Sequence, residues 1–228
     1  MKISVLMPIY NEENTVLDVI EEVKRIEVDK EIILVDDCST DGTRELLQKK
    51  IGYGDNNIKV IYHAKNEGKG KTIRSALEQT ESDFCIIQDA DLEYDPGDYK
   101  ALLAHAGDND LKVVYGSRFL KTWKSTSLPH FVVNKFLTIL TNILFGSSLT
   151  DMETCYKLVD TKVMKSLDLK ANRFELEPEI TAKLLKQGYD IQEIPVSYKG
   201  RSYHEGKKIG WRDGIEAVIT LFKLRFSL

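Results

Sequence analysis

The stretch that decides the fold is residues 31–50, EIILVDDCSTDGTRELLQKK, which joins an apolar run, an acidic turn and a helix-forming segment. The run EIILV (31–35) predicts a strand buried on both faces, because its apolar residues are continuous and do not alternate with polar ones. The turn contains Ser39, Asp41 and Thr43, which are residue types that cap helices. This strand–turn–helix unit is typical of a parallel sheet covered by helices.

The same unit recurs on both sides of this stretch and predicts an α/β fold with a mostly parallel central sheet. The other strands are expected at residues 3–7, 58–63, 84–88 and 112–116, separated by helices that include 14–26 and 43–50. In the second half, strands are expected at 154–159 and 190–198 and helices at 130–146, 175–187 and 211–226. Ligands of such sheets bind at the carboxyl ends of the strands.

Composition excludes several classes of protein. With 228 residues, 42% of them hydrophobic, the chain is long enough to form a core without disulfides. Its three cysteines form no CxxC pair, which favours a reducing cytoplasm. The start turns polar after nine residues, too early for a signal peptide, and no uninterrupted apolar run approaches the ~20 residues of a membrane span. From residue 199 onward seven Lys and Arg stand against three acids, although the net charge is −4. This pattern favours an anionic partner near the C-terminal end and not general nucleic-acid binding.

Two aspartates directly follow the strand at 84–88. Asp89 and Asp91 are two residues apart on a turn, where each carboxylate raises the pKa of the other unless a cation lies between them. Mg²⁺ and Mn²⁺ are bound in proteins by one or two such carboxylates together with phosphate oxygens. The spacing therefore indicates a divalent metal site, and the alternative is a solvated acidic turn.

Asp36 and Asp37 end a second strand, where a carboxylate can accept hydrogen bonds from a ribose or a base or can cap the next helix. The loop GKGKT (68–72) is similar to a P-loop, but residue 65 is lysine where that motif has its first glycine. Its glycines with Lys69 or Lys71 could contact a phosphate, or the loop could be a plain turn.

Five motifs follow one another along the chain. They are MPIYNE (7–12), VDDCSTDGT (35–43), NEGKG (66–70), DADL (89–92) and GSR (116–118). In this order they resemble the family 2 glycosyltransferases, specifically the branch of dolichol-phosphate mannose synthases and other polyprenyl-phosphate sugar transferases. The resemblance covers nearly the whole chain and implies one GT-A domain, which is Rossmann-like and here ends in amphipathic helices. It divides the domain into a nucleotide-sugar half (1–118) and an acceptor half (119–228).

The resemblance implies a metal-dependent hexosyltransferase that moves a sugar from GDP-mannose or UDP-glucose to a polyprenyl or dolichyl phosphate with inversion. Residues expected on the nucleotide sugar are Pro8, Tyr10, Glu12, Asp36, Asp37, Lys69, Asp89 and Ala90. Ligands expected for Mg²⁺ or Mn²⁺ are Asp89, Asp91 and Glu93. Residues expected on the acceptor phosphate are Arg118, Lys135, Arg201, Lys207 and Lys208. The catalytic group is expected to be Asp89, Asp91, Arg118 and Arg201. The motif DMETCYK (151–157) and Glu177 also match relatives.

A lipid phosphate needs no general base, because its second pKa is near ~6. Its tail lies in a bilayer, so helices 130–146 and 211–226 are expected to contact the cytoplasmic face of the membrane peripherally. The alternatives are transfer to a soluble glycan, a sugar nucleotidyltransferase, and a membrane-surface scaffold that binds a nucleotide sugar without turning it over.

Overall fold

The computed structural model describes residues 1–51, 57–120, 128–201 and 211–226. The strands are β1 (Ile3–Ile9), β2 (Lys30–Asp36), β3 (Ile58–Tyr62), β4 (Phe84–Ile87), β5 (Val113–Ser117), β6 (Lys157–Asp160) and β7 (Gln192–Pro195). The helices are α1 (Val16–Arg25), α2 (Thr43–Lys50), α3 (Lys69–Glu78), α4 (Tyr99–Asp108), α5 (Leu128–Phe145), α6 (Thr161–Ser166), α7 (Leu176–Lys186) and α8 (Trp211–Phe226), with one 3-10 turn at Pro96–Asp98.

The seven strands form one sheet in the order β3-β2-β1-β4-β6-β5-β7. Strands β1 to β4 are parallel to their neighbours within this group, and β5 is parallel to β7. Strand β6 is antiparallel to both β4 and β5, between which it lies. The α/β fold with a mostly parallel sheet is therefore confirmed, and β6 joins the N-terminal and C-terminal strands in a single sheet.

The central strands β1 and β2 are buried on both faces of the sheet. All seven residues of β1 except Pro8 are buried, and so are all residues of β2 except Lys30. These side chains and those of the covering helices form the main hydrophobic core. The strand predicted at 154–159 begins only at Lys157, because the Cys155 amide donates to the Tyr94 hydroxyl at 3.0 Å and not to a neighbouring strand.

Helix α5 buries Leu137 together with two threonines, and its exposed positions are apolar. Thr138 and Thr141 are buried, and the Lys135 ammonium donates to the Thr150 carbonyl at 2.8 Å. The exposed residues are apolar, among them Phe136 (57% exposed) and Ile143 (75%). A small second core joins α5 to α7 and α8.

By length and composition alone, α5 is also able to cross a membrane. It has 18 residues, a mean hydropathy of 1.3 and few buried positions. A single helix of this kind is a weak indication of a span, since soluble proteins contain them too.

Candidate active site

The candidate site is a cavity of about 270 Å³ at the carboxyl ends of β1, β2 and β4. Among the residues that the structure describes, five carboxylates and three cations line it. The predicted site residues that it brings together are Pro8, Tyr10, Glu12, Asp37, Lys69, Asp89, Ala90, Asp91, Glu93 and Arg201. Five further lining residues had no role predicted from the sequence: Ile9, Asn66, Thr72, Arg173 and Phe174.

The turns that border the cavity contain unusual backbone conformations. Asn11, Cys38 and Leu92, which follow β1, β2 and β4, have φ angles of 50°, 60° and 60°. Such conformations cost non-glycine residues on the order of 1–3 kcal/mol and cluster at functional sites. Hydrogen bonds between the first two turns hold them: the Asn11 amide donates to Ser39 Oγ at 2.9 Å, and the Thr40 amide to Asn11 Oδ1 at 2.8 Å.

The Lys69 ammonium lies between two carboxylates. It is 2.8 Å from Asp89 Oδ1 and 3.5 Å from Glu177 Oε1, and Glu177 also pairs with the buried Lys157 at 2.5 Å. Burial disfavours the charged form of Lys69, but Asp89 and Glu177 outweigh it and hold the pKa well above the usual value. Burial likewise opposes ionisation of Asp89, and the neighbouring ammonium holds the pKa of Asp89 below its usual value. Asp89 is therefore ionised at neutral pH.

Asp91 lies in a second cluster, in which three carboxylates share one guanidinium. Arg201 Nη2 is 3.0 Å from Asp91 Oδ2 and 3.3 Å from Glu12 Oε1, and its Nη1 is 3.1 Å from Glu12 Oε2. Burial raises the pKa of Asp91 to about 7, and the charges of Asp89 and Glu93 add to this. The guanidinium does not balance the negative charge at Asp91, so an added cation would be favourable there.

Glu93 forms hydrogen bonds with residues 198–201, the segment that contains Arg201. Its Oε2 accepts from the Tyr198 hydroxyl at 2.6 Å, and its Oε1 accepts from the Arg201 amide at 2.7 Å. The Lys199 amide donates to the Glu93 carbonyl at 2.8 Å. Both oxygens of Glu93 thus accept from protein donors, and its role as a metal ligand stays a prediction.

The carboxylates of Asp89 and Asp91 are a small set of oxygen donors that suits a divalent cation. Within the described residues, no group of three or more His, Cys, Asp and Glu forms a preformed cage. Mg²⁺ rarely uses such cages and is usually bound by one or two carboxylates together with substrate phosphates. The unbalanced negative charge at Asp91 is the feature of this structure that such an ion would neutralise.

The two aspartates after β2 have separate roles. Asp36 is fully buried and does not line the cavity, and Arg44 Nε donates to its Oδ2 at 2.6 Å, so its contact with the nucleotide stays a prediction. Asp37 lines the cavity, and its carboxylate accepts from the Glu67 amide at 2.9 Å and the Gly68 amide at 2.7 Å. Asp37 thus shapes the loop that borders the cavity.

Arg118 and Lys135, which were predicted to bind the acceptor phosphate, do not line the cavity. The Arg118 guanidinium forms a bidentate ion pair with Asp151, in which Nε and Nη2 each donate to a carboxylate oxygen at 2.7 Å. Lys135 is bound to the Thr150 carbonyl and lies 4.5 Å from the centre of the Phe119 ring. The contact of these two cations with the acceptor phosphate stays a prediction. Lys207 and Lys208 lie outside the described residues.

The glycines of the loop at 68–72 serve close packing. A Cβ on Gly68, whose φ is +90°, would lie 2.4 Å from the Asn172 carbonyl oxygen, and one on Gly70 would lie 2.4 Å from the Ala171 oxygen. The glycine loop thus packs closely against residues 170–174, which we call the strap. A glycine pattern signals close approach of backbone but not which segment approaches, so the sequence could not identify Arg173 and Phe174.

Comparisons with known proteins identify the family of the chain and its fold. The family model described as Glycosyl transferase family 2 matches residues 4–167. Uncharacterized protein MJ0544 of Methanocaldococcus jannaschii is 27% identical over 210 residues, which are 88% of each chain. Low-salt glycan biosynthesis hexosyltransferase Agl6 of Haloferax volcanii is 26% identical over 92% of this chain, and the match spans 51% of Agl6.

Among solved structures, glucosyl-3-phosphoglycerate synthase from Mycobacterium tuberculosis, in complex with Mn²⁺, UDP and phosphoglyceric acid, superimposes with a TM-score of 0.74. The match covers 99% of this chain and 78% of the synthase, with 16% identity. At that identity the likeness concerns the fold, which is GT-A.

Proposed function

The chain belongs to glycosyl transferase family 2, and from that premise we propose that it transfers a hexose from GDP-mannose or UDP-glucose to a polyprenyl or dolichyl phosphate. The observation that carries the proposal is the pair Asp89 and Asp91 in a cavity at the sheet edge where α/β folds bind nucleotides. The relative Agl6, named a hexosyltransferase, supports the class of sugar.

We propose that Mg²⁺ or Mn²⁺ is bound at Asp91 and Asp89. When bound, such an ion neutralises the charge that develops on a departing diphosphate. The M. tuberculosis synthase, which was crystallised with Mn²⁺ and UDP, supports the choice of a divalent ion. Pro8 and Tyr10 line the same cavity and are proposed to contact the nucleotide.

In the proposed reaction an oxygen of the acceptor phosphate forms a bond to C1 of the sugar. The bond between C1 and the diphosphate oxygen breaks, and its electron pair leaves with the nucleoside diphosphate. A phosphate monoester has a second pKa of about 6 and is dianionic at neutral pH, so no side chain has to remove a proton. Arg201 lies beside the acids of the site, where its guanidinium can contact an oxyanion bound next to them.

The outward apolar face of α5 and α8 supports a lipid acceptor. Exposed residues on these helices are Val132, Val133, Phe136, Ile139, Ile143, Ile215, Ile219, Phe222 and Phe226. Lys223 and Arg225 are exposed on the last turn of α8, where they can meet anionic headgroups. Helices that expose an apolar face beside cationic side chains are suited to the membrane interface. We therefore propose peripheral association with the cytoplasmic face of a membrane.

A transfer assay tests the proposal. The protein is incubated with radiolabelled GDP-mannose or UDP-glucose, Mn²⁺ and one of two acceptors, a polyprenyl phosphate in detergent or 3-phosphoglycerate in buffer. Label in the organic phase with either donor supports the proposal. Label only on 3-phosphoglycerate would favour a soluble anionic acceptor, and label on neither acceptor with either donor would contradict the proposal.

A further inference from the structure

The strap (170–174) is a short loop in which four of the five backbone amides donate to side chains of the protein. Glu179 accepts from the Lys170 amide at 2.9 Å and from the Ala171 amide at 2.7 Å. Glu175 accepts from the Asn172 amide at 2.9 Å and from the Arg173 amide at 3.2 Å. Four consecutive amides are thus held by two carboxylates.

The other side of the strap is held by α3. Arg74 donates to the Ala171 carbonyl and, at 2.7 Å, to Asn172 Oδ1. The Lys71 amide donates to the Asn172 carbonyl at 3.2 Å. Gly68 and Gly70 pack against the strap, so its backbone is held in place and the backbone positions of Arg173 and Phe174 at the cavity are preorganised.

The strap places a guanidinium at the mouth of the cavity. Arg173 is exposed and lines the cavity together with Phe174. The other two lining cations are engaged by carboxylates, Lys69 by Asp89 and Glu177, and Arg201 by Glu12 and Asp91. Within the described ranges, 1–51, 57–120, 128–201 and 211–226, no side chain forms an ion pair or a hydrogen bond with the Arg173 guanidinium.

We propose that Arg173 forms an oxyanion subsite that binds a phosphate group of a substrate at the mouth of the cavity. An arginine already paired with carboxylates must give them up before it can bind a phosphate, whereas Arg173 offers its planar donors directly. The subsite deepens the proposed function and rests on it only for the identity of the substrate. The phosphate belongs either to the donor diphosphate or to the acceptor, and both have the same chemistry.

Two calorimetric titrations test the subsite and distinguish these sources. UDP and GDP are titrated separately in the presence of MnCl₂, and inorganic phosphate is titrated into the protein in a second experiment. Arg173→Gln is compared with the wild type and with Arg25→Gln, which removes an exposed arginine from the end of α1, outside the cavity. Arg173→Lys, which keeps the charge but loses the planar fork, is expected to give an intermediate result.

We expect Arg173→Gln to raise one dissociation constant by roughly tenfold or more, as for the loss of a charge-assisted hydrogen bond. Weaker binding of UDP or GDP alone assigns the subsite to the donor, and weaker binding of phosphate alone assigns it to the acceptor. If the variant and the Arg25→Gln control bind both ligands like the wild type, the subsite is refuted. A wild type that binds neither nucleotide would contradict the proposed function, while the phosphate titration would still decide the subsite.

Discussion

Glu153 gives the sharpest prediction about stability. Burial raises the pKa of its carboxyl to about 7 from an ordinary value of 4.5; Lys157 opposes this shift and Glu177 adds to it. The side-chain oxygen Oε1 is buried and has no hydrogen-bond partner among the described residues. The folded protein therefore binds a proton at Glu153 more tightly than the unfolded chain does.

This difference makes the protein less stable as the pH rises. Below pH 4.5 the carboxyl is protonated in both the folded and the unfolded state and does not make stability depend on pH. Between pH 4.5 and about 7 only the folded state retains the proton, so the free energy of unfolding falls as the pH rises. At 1.36 kcal/mol for each pKa unit, the full penalty above pH 7 is about 3 kcal/mol.

Glu153→Gln removes the ionisable group while keeping its size. We expect equal stability of variant and wild type near pH 4.5 and a stability advantage for the variant that grows to about 3 kcal/mol above pH 7. For a chain of this length that is roughly 6–12 °C in the melting temperature. Urea unfolding followed by circular dichroism between pH 4.5 and 8 measures it, with Glu21→Gln on the exposed face of α1 as the control. Parallel pH profiles for variant and wild type would refute the burial argument.

Three further predictions concern the glycine loop, the buried lysine and the apolar face. Gly70→Ala should cost about 1–3 kcal/mol in urea unfolding because its Cβ meets the backbone of the strap, whereas Gly107→Ala, which meets only the flexible end of Met1, should cost nothing; equal effects would refute the close packing of the loop against the strap. Lys69→Met should destabilise by about 3–5 kcal/mol at pH 7, because Asp89 and Glu177 are left without their shared cation, and by less at pH 5; a loss that does not depend on pH would contradict this. The double variant Phe136→Ser, Ile143→Ser should no longer float with anionic vesicles while melting like the wild type, and undiminished flotation would contradict membrane contact through α5.

Periodicity was sufficient to predict most of the helices and strands, because local patterns of burial determine them. The helix expected at 43–50 is α2 to the residue, and the strand expected at 31–35 lies within β2. The direction of β6 could not be predicted, since a four-residue strand has no feature that distinguishes a parallel from an antiparallel neighbour. The short helix α6 is likewise too brief to have a recognisable period.

The same limit applies to the site. Ligands were expected at the carboxyl ends of the strands, where aspartates follow β2 and β4, and Asp37, Asp89 and Asp91 do line one cavity. The role of Arg118 could not be read from its motif, because the residue that pairs with its guanidinium, Asp151, is 33 positions away. Pairing between distant residues leaves no local signal in a single sequence, and the position of Arg173 on the strap depends on such pairing.

The central claim is that Asp91 and Asp89 bind a divalent cation together with a nucleoside diphosphate. Electron paramagnetic resonance of free Mn²⁺ tests it directly, because the signal of the hydrated ion is lost when the ion binds to protein. We expect one bound ion for each chain in the presence of UDP or GDP, weak binding without nucleotide, and loss of the site in Asp91→Asn. Since Asp91 is poorly stabilised as an anion in the folded protein, this variant should melt at or above the temperature of the wild type. Equal Mn²⁺ binding by the folded variant and the wild type would contradict the claim.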